Sequence, residues 1–160
     1  MEIERKYLVD RLPPELESCP SDRIEQGYLA ITEDGIEVRV RRYGERAFLT
    51  IKSGAGAVRL EEEIEIEEQR FCSLWPLTEG RRIEKRRYLV ELEDGVTSEL
   101  DVYGGALAGL VTVEVEFESS AAAGAFTPPA WFGRDVTDAP EYKNQRLAVE
   151  GLPGPEGEGS

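Results

Sequence analysis

The sequence predicts one mainly antiparallel β domain, a barrel or strongly curled sheet of about eight strands, with a few short helices. Three observations carry this. Apolar and polar residues alternate with period two over eight separate segments. Tight turns punctuate them: Asp34-Gly35 and Asp94-Gly95 are hairpin dipeptides, and Tyr43-Gly44-Glu45-Arg46 reads as another turn. Short connections impose antiparallel pairing, and about eight strands in one sheet curl or close. With 160 residues the chain suffices for one domain with a core, and no second domain is visible.

The strands fall at 2–9, 24–31, 36–43, 46–53, 59–66, 81–92, 97–103 and 111–118. Residues i, i+2 and i+4 of a strand share a face. In the first, Glu2, Glu4 and Lys6 oppose Ile3 and Tyr7. Further on, Arg39 and Arg41 oppose Val38 and Val40, and Thr50 and Lys52 share a face. Arg59, Glu61, Glu63 and Glu65 oppose Leu60, Ile64 and Ile66, and Lys85 pairs in phase with Arg87. Glu99 and Asp101 oppose Leu100 and Val102, and Glu114, Glu116 and Glu118 oppose Val113, Val115 and Phe117. Helices are expected at 68–75, at 119–126 with Ser119 or Ser120 as N-cap, and at 140–149 after a capping Asp138. Trp131-Phe132 reads as a loop after Pro128-Pro129, and the Gly-, Pro- and Glu-rich stretch 151–160 reads as a disordered tail.

Alternation by itself describes any half-buried sheet. The repetition of like charges at i, i+2 is a further observation. Such neighbours lie roughly 6–7 Å apart, and at an effective dielectric near 20 each pair costs on the order of 2–3 kcal/mol. Five uncompensated pairs would rival the roughly 5–15 kcal/mol stability of a domain. Either the pairs are fully solvated, or acidic strands face basic strands and bound ions across a cavity. The pattern leaves open which face is inside.

Composition narrows the chemistry. The chain has 19 Lys+Arg against 33 Asp+Glu, a net charge of −14, which argues against a nucleic-acid binder but not against a small polyanion. Histidine is absent, which removes Ser-His-Asp and Cys-His catalysis and any His-bound zinc. Oxygen-only ligands would select a hard cation such as Mg²⁺ or Mn²⁺. No window spans a membrane, the first residues form a charged strand, and two distant cysteines, Cys19 and Cys72, fit a reduced cytoplasmic setting. Ser53-Gly54-Ala55-Gly56 lacks the P-loop order and reads as a turn.

The ordered series Glu2-x-Glu4-x-Lys6, Glu37-Val-Arg39-Val-Arg41, Thr50-Ile-Lys52, Arg59-x-Glu61-x-Glu63, Glu84-Lys85-x-Arg87-Tyr88, Glu99-Leu-Asp101, Val113-Glu114-Val-Glu116-Phe117 and Tyr142-Lys143-Asn144 resembles the CYTH domain of the triphosphate tunnel metalloenzymes. It spans residues 2 to about 150. The stretches around Trp75-Pro76, Glu79-Gly80-Arg81-Arg82 and Trp131-Phe132-Gly133 look like the short bacterial members that act as inorganic triphosphatases. The resemblance implies an antiparallel barrel whose charged face lines a tunnel, and hydrolysis of triphosphates with Mg²⁺ or Mn²⁺. It implies that Lys6, Arg39, Arg41, Lys52, Lys85, Arg87 and Lys143 bind substrate. Glu2, Glu4, Glu61, Glu63, Asp101, Glu114 and Glu116 would form the metal pole, with Glu4, Glu114, Glu116 and Lys85 nearest the chemistry. Glu65 and Glu118, at strand ends, read as surface residues. Thiamine triphosphatase, class IV adenylate cyclase and a non-catalytic polyphosphate- or nucleotide-binding module are the alternatives. The expected partner is a small triphosphate, with no nucleic acid and no membrane; the oligomeric state is not legible.

Overall fold

The computed structural model describes residues 3–54 and 60–154. Glu2, Arg59, Ala55-Gly56 of the expected turn and residues 155–160 of the expected tail lie outside the described residues. Nine strands form one antiparallel sheet: β1 (Ile3–Val9), β2 (Ser21–Ile31), β3 (Ile36–Tyr43), β4 (Arg46–Ser53), β5 (Leu60–Ile66), β6 (Arg82–Glu91), β7 (Thr97–Tyr103), β8 (Val111–Phe117) and β9 (Phe132–Asp135). Three short helices accompany it: α1 (Glu68–Leu74), α2 (Ser120–Ala125) and α3 (Asn144–Glu150). The strand order is β5-β4-β3-β2-β6-β7-β8-β1-β9. Among the described residues β5 and β9 do not pair, so the sheet curls without a closing seam.

The hairpin turns stand where Asp-Gly dipeptides predict them. Gly35 and Gly95 adopt φ of 94° and 83°, the region a turn of this kind requires and a Cβ disfavours. Three expectations change. The Trp131-Phe132 loop runs into a ninth strand, paired to β1 through Tyr7–Asp135 and Val9–Phe132. Its four residues, Phe-Gly-Arg-Asp, are too short to show alternation. The helix expected at 140–149 splits into a 3₁₀ turn at Pro140–Tyr142 and α3, because Lys143 between them is extended (φ −69°, ψ 141°). Lys143, not Asp138, occupies the N-cap position of α3. By contrast Ser119 does cap α2, its Oγ accepting from Ala122 N at 3.0 Å.

Directly opposed residues share a sheet face, so the register settles the fork left by the sequence. One face carries Glu61–Lys52–Glu37, Glu63–Thr50–Arg39–Tyr28 and Arg41–Gln26 on β5 to β2. It continues as Arg87–Asp101–Thr112 and Glu99–Glu114–Lys6, then Glu116–Glu4, on β6 to β1. The middle of this face is buried, with Lys85 2% exposed, Asp101 3% and Arg87 9%, while Glu61 and Glu63 on β5 and Glu4 and Glu116 on β1 and β8 are exposed. The apolar faces point outward and are covered except over β4 and β5, where Ile51, Leu60 and Ile64 are exposed. Tyr7, Val113, Val115 and Phe117 pack with Ala123 of α2, Phe126 and Phe132. Val40 and Ala47 pack beneath Phe71 of α1, which stacks on Trp75 at 5.1 Å. One end of the interior is filled by Tyr28, Ile83 and Tyr103 against Leu147 and Ala148 of α3.

Candidate active site

The interior is arranged as a cationic middle and an acidic mouth. In the middle, Asp101 on β7 accepts from Arg87 Nε at 2.8 Å and Arg87 Nη2 at 3.0 Å, a bidentate pairing with the guanidinium of β6. Lys85 Nζ lies 2.8 Å from Asp101 Oδ2, as an ion pair without hydrogen-bond alignment. Despite its burial, these cations hold the Asp101 carboxyl down at about 2. Burial pushes the Lys85 ammonium down to about 8; Asp101 opposes this, while Arg87 and Arg41 reinforce it. Arg41 is lowered to about 10 by burial and then by its cationic neighbours Arg39 and Arg87. Arg39, 8% exposed, has an ion pair with Glu37 at 3.4 Å and a buried Nε without a hydrogen bond.

Gln26 and Tyr28 join the interior without any charge signal in the sequence. Both are fully buried in this face. Arg41 Nε donates to Gln26 Oε1, and Gln26 Nε2 donates to Tyr28 Oη, each at 2.7 Å. A charge-based reading does not register neutral residues; only their in-phase position on β2 could have found them. Gly27 beside them is required by packing, since a Cβ there would lie 2.5 Å from Thr78 Oγ1.

At the mouth, Glu4, Glu99, Glu114 and Glu116, with Leu89 and Thr97, line a cavity of about 200 Å³. Burial, then Glu114, and more weakly Glu99, push the Glu4 carboxyl up; Lys52 and Lys6 oppose this. The influence of Lys52 is a topological marker. Five strands separate β4 from β1 in the sheet order, so only strong curling brings Lys52 into the field of Glu4. Lys6 joins the two poles. Its Nζ is 3.7 Å from Glu114 Oε1 and donates to Tyr142 O at 2.7 Å, and burial lowers its pKa. Glu99, also absent from the sequence-derived site, lies 3.4 Å from Arg87 Nη1.

The remaining expected residues are less central. Asp101, expected in the metal pole, has both oxygens engaged by Lys85 and Arg87. Glu61 and Glu63 stand exposed on β5, Glu61 pairing with Lys52 at 3.1 Å. Lys143 is exposed, next to the Tyr142 carbonyl that receives Lys6. Glu65 pairs on the surface with Arg46, and Glu118 is exposed, as expected. Cys19 and Cys72 are free. No helix among the described residues is long and apolar enough to cross a membrane.

The donor type of the mouth is the one a hard divalent cation prefers. All donors are carboxylate oxygens, they share one cavity, and Glu4 carries the electrostatic cost of its acidic neighbours. Among the described residues no group of three acidic side chains is placed to hold a metal ion. The fold and site together define a curled β-sheet protein with a cation-rich interior suited to a small polyanion.

Comparison with known proteins narrows that class. The chain is 51% identical to the inorganic triphosphatase of Nitrosomonas europaea over 149 residues, covering 92% of this chain and 97% of that protein. It is 36% identical to the inorganic triphosphatase of Acetivibrio thermocellus, covering 91% and 92%. A crystal structure of an inorganic triphosphatase superposes with a TM-score of 0.80 at 47% identity, covering 96% of this chain and 97% of the other. No family model matches. The chain belongs to the inorganic triphosphatase family.

Proposed function

We propose that this protein is a CYTH-type triphosphate tunnel enzyme that hydrolyses inorganic triphosphate to pyrophosphate and phosphate with Mg²⁺ or Mn²⁺. The observation that carries the reading is the crowding of Arg39, Arg41, Lys85 and Arg87 in the middle of the interior, where burial first and the cationic neighbours second push Arg41 down. Such a cluster gains most from a multiply charged anion. The names of the relatives supply the particular anion.

In this reading the guanidinium groups of Arg39, Arg41 and Arg87 take phosphate oxygens in planar forks, and Lys85, Lys52 and Lys6 add point charges. Asp101 is a positioning residue that orients Arg87 and Lys85. Glu4, Glu114 and Glu116, aided by Glu99, would hold the divalent ion; when bound it supplies Lewis-acid charge and a more acidic water. A mouth carboxylate, Glu114 or Glu116, orients the attacking water. Phosphoryl transfer asks chiefly for positioning and charge compensation, which this inventory provides without histidine.

The direct test is phosphate release from tripolyphosphate, ATP and thiamine triphosphate with Mg²⁺ or Mn²⁺, with cyclic AMP monitored. Tripolyphosphate turns over fastest; no turnover of any triphosphate by folded protein would sink the enzyme reading. Arg41→Ala raises KM for tripolyphosphate roughly 10- to 100-fold, the loss expected for a hydrogen bond to a charged group. An unchanged KM removes Arg41 from the site. Lys85 supplies a further prediction. An anion beside it restores its proton, so tripolyphosphate binding near pH 9 without divalent metal takes up protons. Calorimetry in two buffers of different ionisation enthalpy reads the uptake; equal heats contradict it.

A further inference from the structure

We infer that Gln26 is a positioning residue: its amide fixes the Arg41 guanidinium without neutralising it. The inference rests on the reading of the interior as a triphosphate site, and adds to it a residue that carries no charge.

Two observations converge. Gln26 is 0% exposed yet lies in the charged face, directly opposite Arg41 across the β2–β3 pair, with Tyr28 opposite Arg39. A buried amide needs its hydrogen bonds made. Here the oxygen accepts from Arg41 Nε and the nitrogen donates to the Tyr28 hydroxyl, both at 2.7 Å, which fixes the amide's orientation. Tyr28 in turn stands directly across the β2–β3 pair from Arg39.

The contrast with Arg87 gives the arrangement its meaning. Arg87 is anchored by a carboxylate, Asp101, which cancels a charge. Arg41 is anchored by an amide, which orients through Nε and leaves the full positive charge for an incoming anion. A glutamate of the same shape would hold Arg41 equally well and compete with the substrate for it. The backbone beneath is also fixed. Gly27 lets β2 lie against the 3₁₀ turn Trp75–Thr78, whose Thr78 Oγ1 receives Arg82 Nε at 2.9 Å.

The test compares wild type, Gln26→Glu, Gln26→Met and Arg41→Ala. It measures KM and kcat with tripolyphosphate, and the thermal shift caused by tripolyphosphate without divalent metal. Gln26→Glu preserves the side-chain shape and reports the charge effect; Gln26→Met removes the bonds. Both are expected to raise KM roughly 10-fold or more and to shrink the ligand-induced thermal shift, with kcat changed less than about threefold. A wild-type KM in either folded variant, or an effect confined to melting temperature, overturns the positioning role. If wild type itself neither turns over tripolyphosphate nor is stabilised by it, the functional reading fails instead.

Discussion

Replacing Asp101 with alanine is expected to remove about 3–5 kcal/mol of folding stability, the usual result of stripping one partner from a buried ion pair. Asp101 and Lys85 are nearly inaccessible, so solvent does not screen what is left behind. The mutant keeps a buried ammonium and a buried guanidinium whose shared counter-charge is gone, next to Arg41. At this chain length each kcal/mol shifts the melting temperature by roughly 2–4 °C, so a drop of about 6–20 °C is expected. The pH dependence follows from the direction of the shift. The folded carboxyl titrates near 2, below its unfolded value of 3.8, so its contribution is present above about pH 4 and is lost as pH falls through about 2. Asp101→Ala has no such acid-sensitive component. Thermal unfolding of both proteins between neutral pH and about pH 2 measures this; parallel curves would show that Asp101 holds nothing. Tripolyphosphate, able to replace the missing charge, should recover part of the loss in the mutant.

Asp101 also marks the limit of what the sequence could say. Alternation put it in phase with Glu99 and on the charged face, which is correct. It could not say which charged neighbour lies across the strand gap. The register pairs it with Arg87, and Lys85 reaches it from two residues along, so an acid grouped with the metal pole belongs to the cationic middle. The fold was more legible than the site because period two and Asp-Gly turns are local signals. The choice of inner face is not local. It depends on Phe71, Ala123 and Phe132 covering the apolar side, contacts between segments distant in the chain. The same reasoning explains Gln26, Tyr28 and Glu99. The first two are silent in a charge pattern, and Glu99 gains its place only because β7 pairs with both β6 and β8. Lys143 shows the converse. A motif position can match while the backbone there caps a helix and leaves the side chain exposed.

The acidic mouth gives the last prediction, because it separates activity from stability. Glu4→Gln and Glu116→Gln are each expected to reduce metal-dependent turnover by at least about 100-fold, since even residues that only support metal ligands cost 10- to 100-fold. Mn²⁺ affinity, measured by calorimetry without substrate, should fall in parallel. The metal-free protein should respond in the opposite sense to Glu4→Gln. Burial and the Glu114 carboxylate hold the Glu4 pKa above its ordinary value, so at neutral pH its charge opposes folding. By linkage that penalty appears as pH rises above the unfolded value of 4.5 and disappears below it. The glutamine variant should therefore melt no lower than wild type at neutral pH, and the difference should vanish in acid. A carboxylate that destabilises its own fold needs a compensating ligand, and a divalent cation among Glu4, Glu114 and Glu116 would supply that compensation. Full activity in both variants, or undiminished Mn²⁺ binding, would remove the metal from this mouth. A large fall in the melting temperature of Glu4→Gln would show that its charge is a structural asset and that the strain argument has the wrong sign.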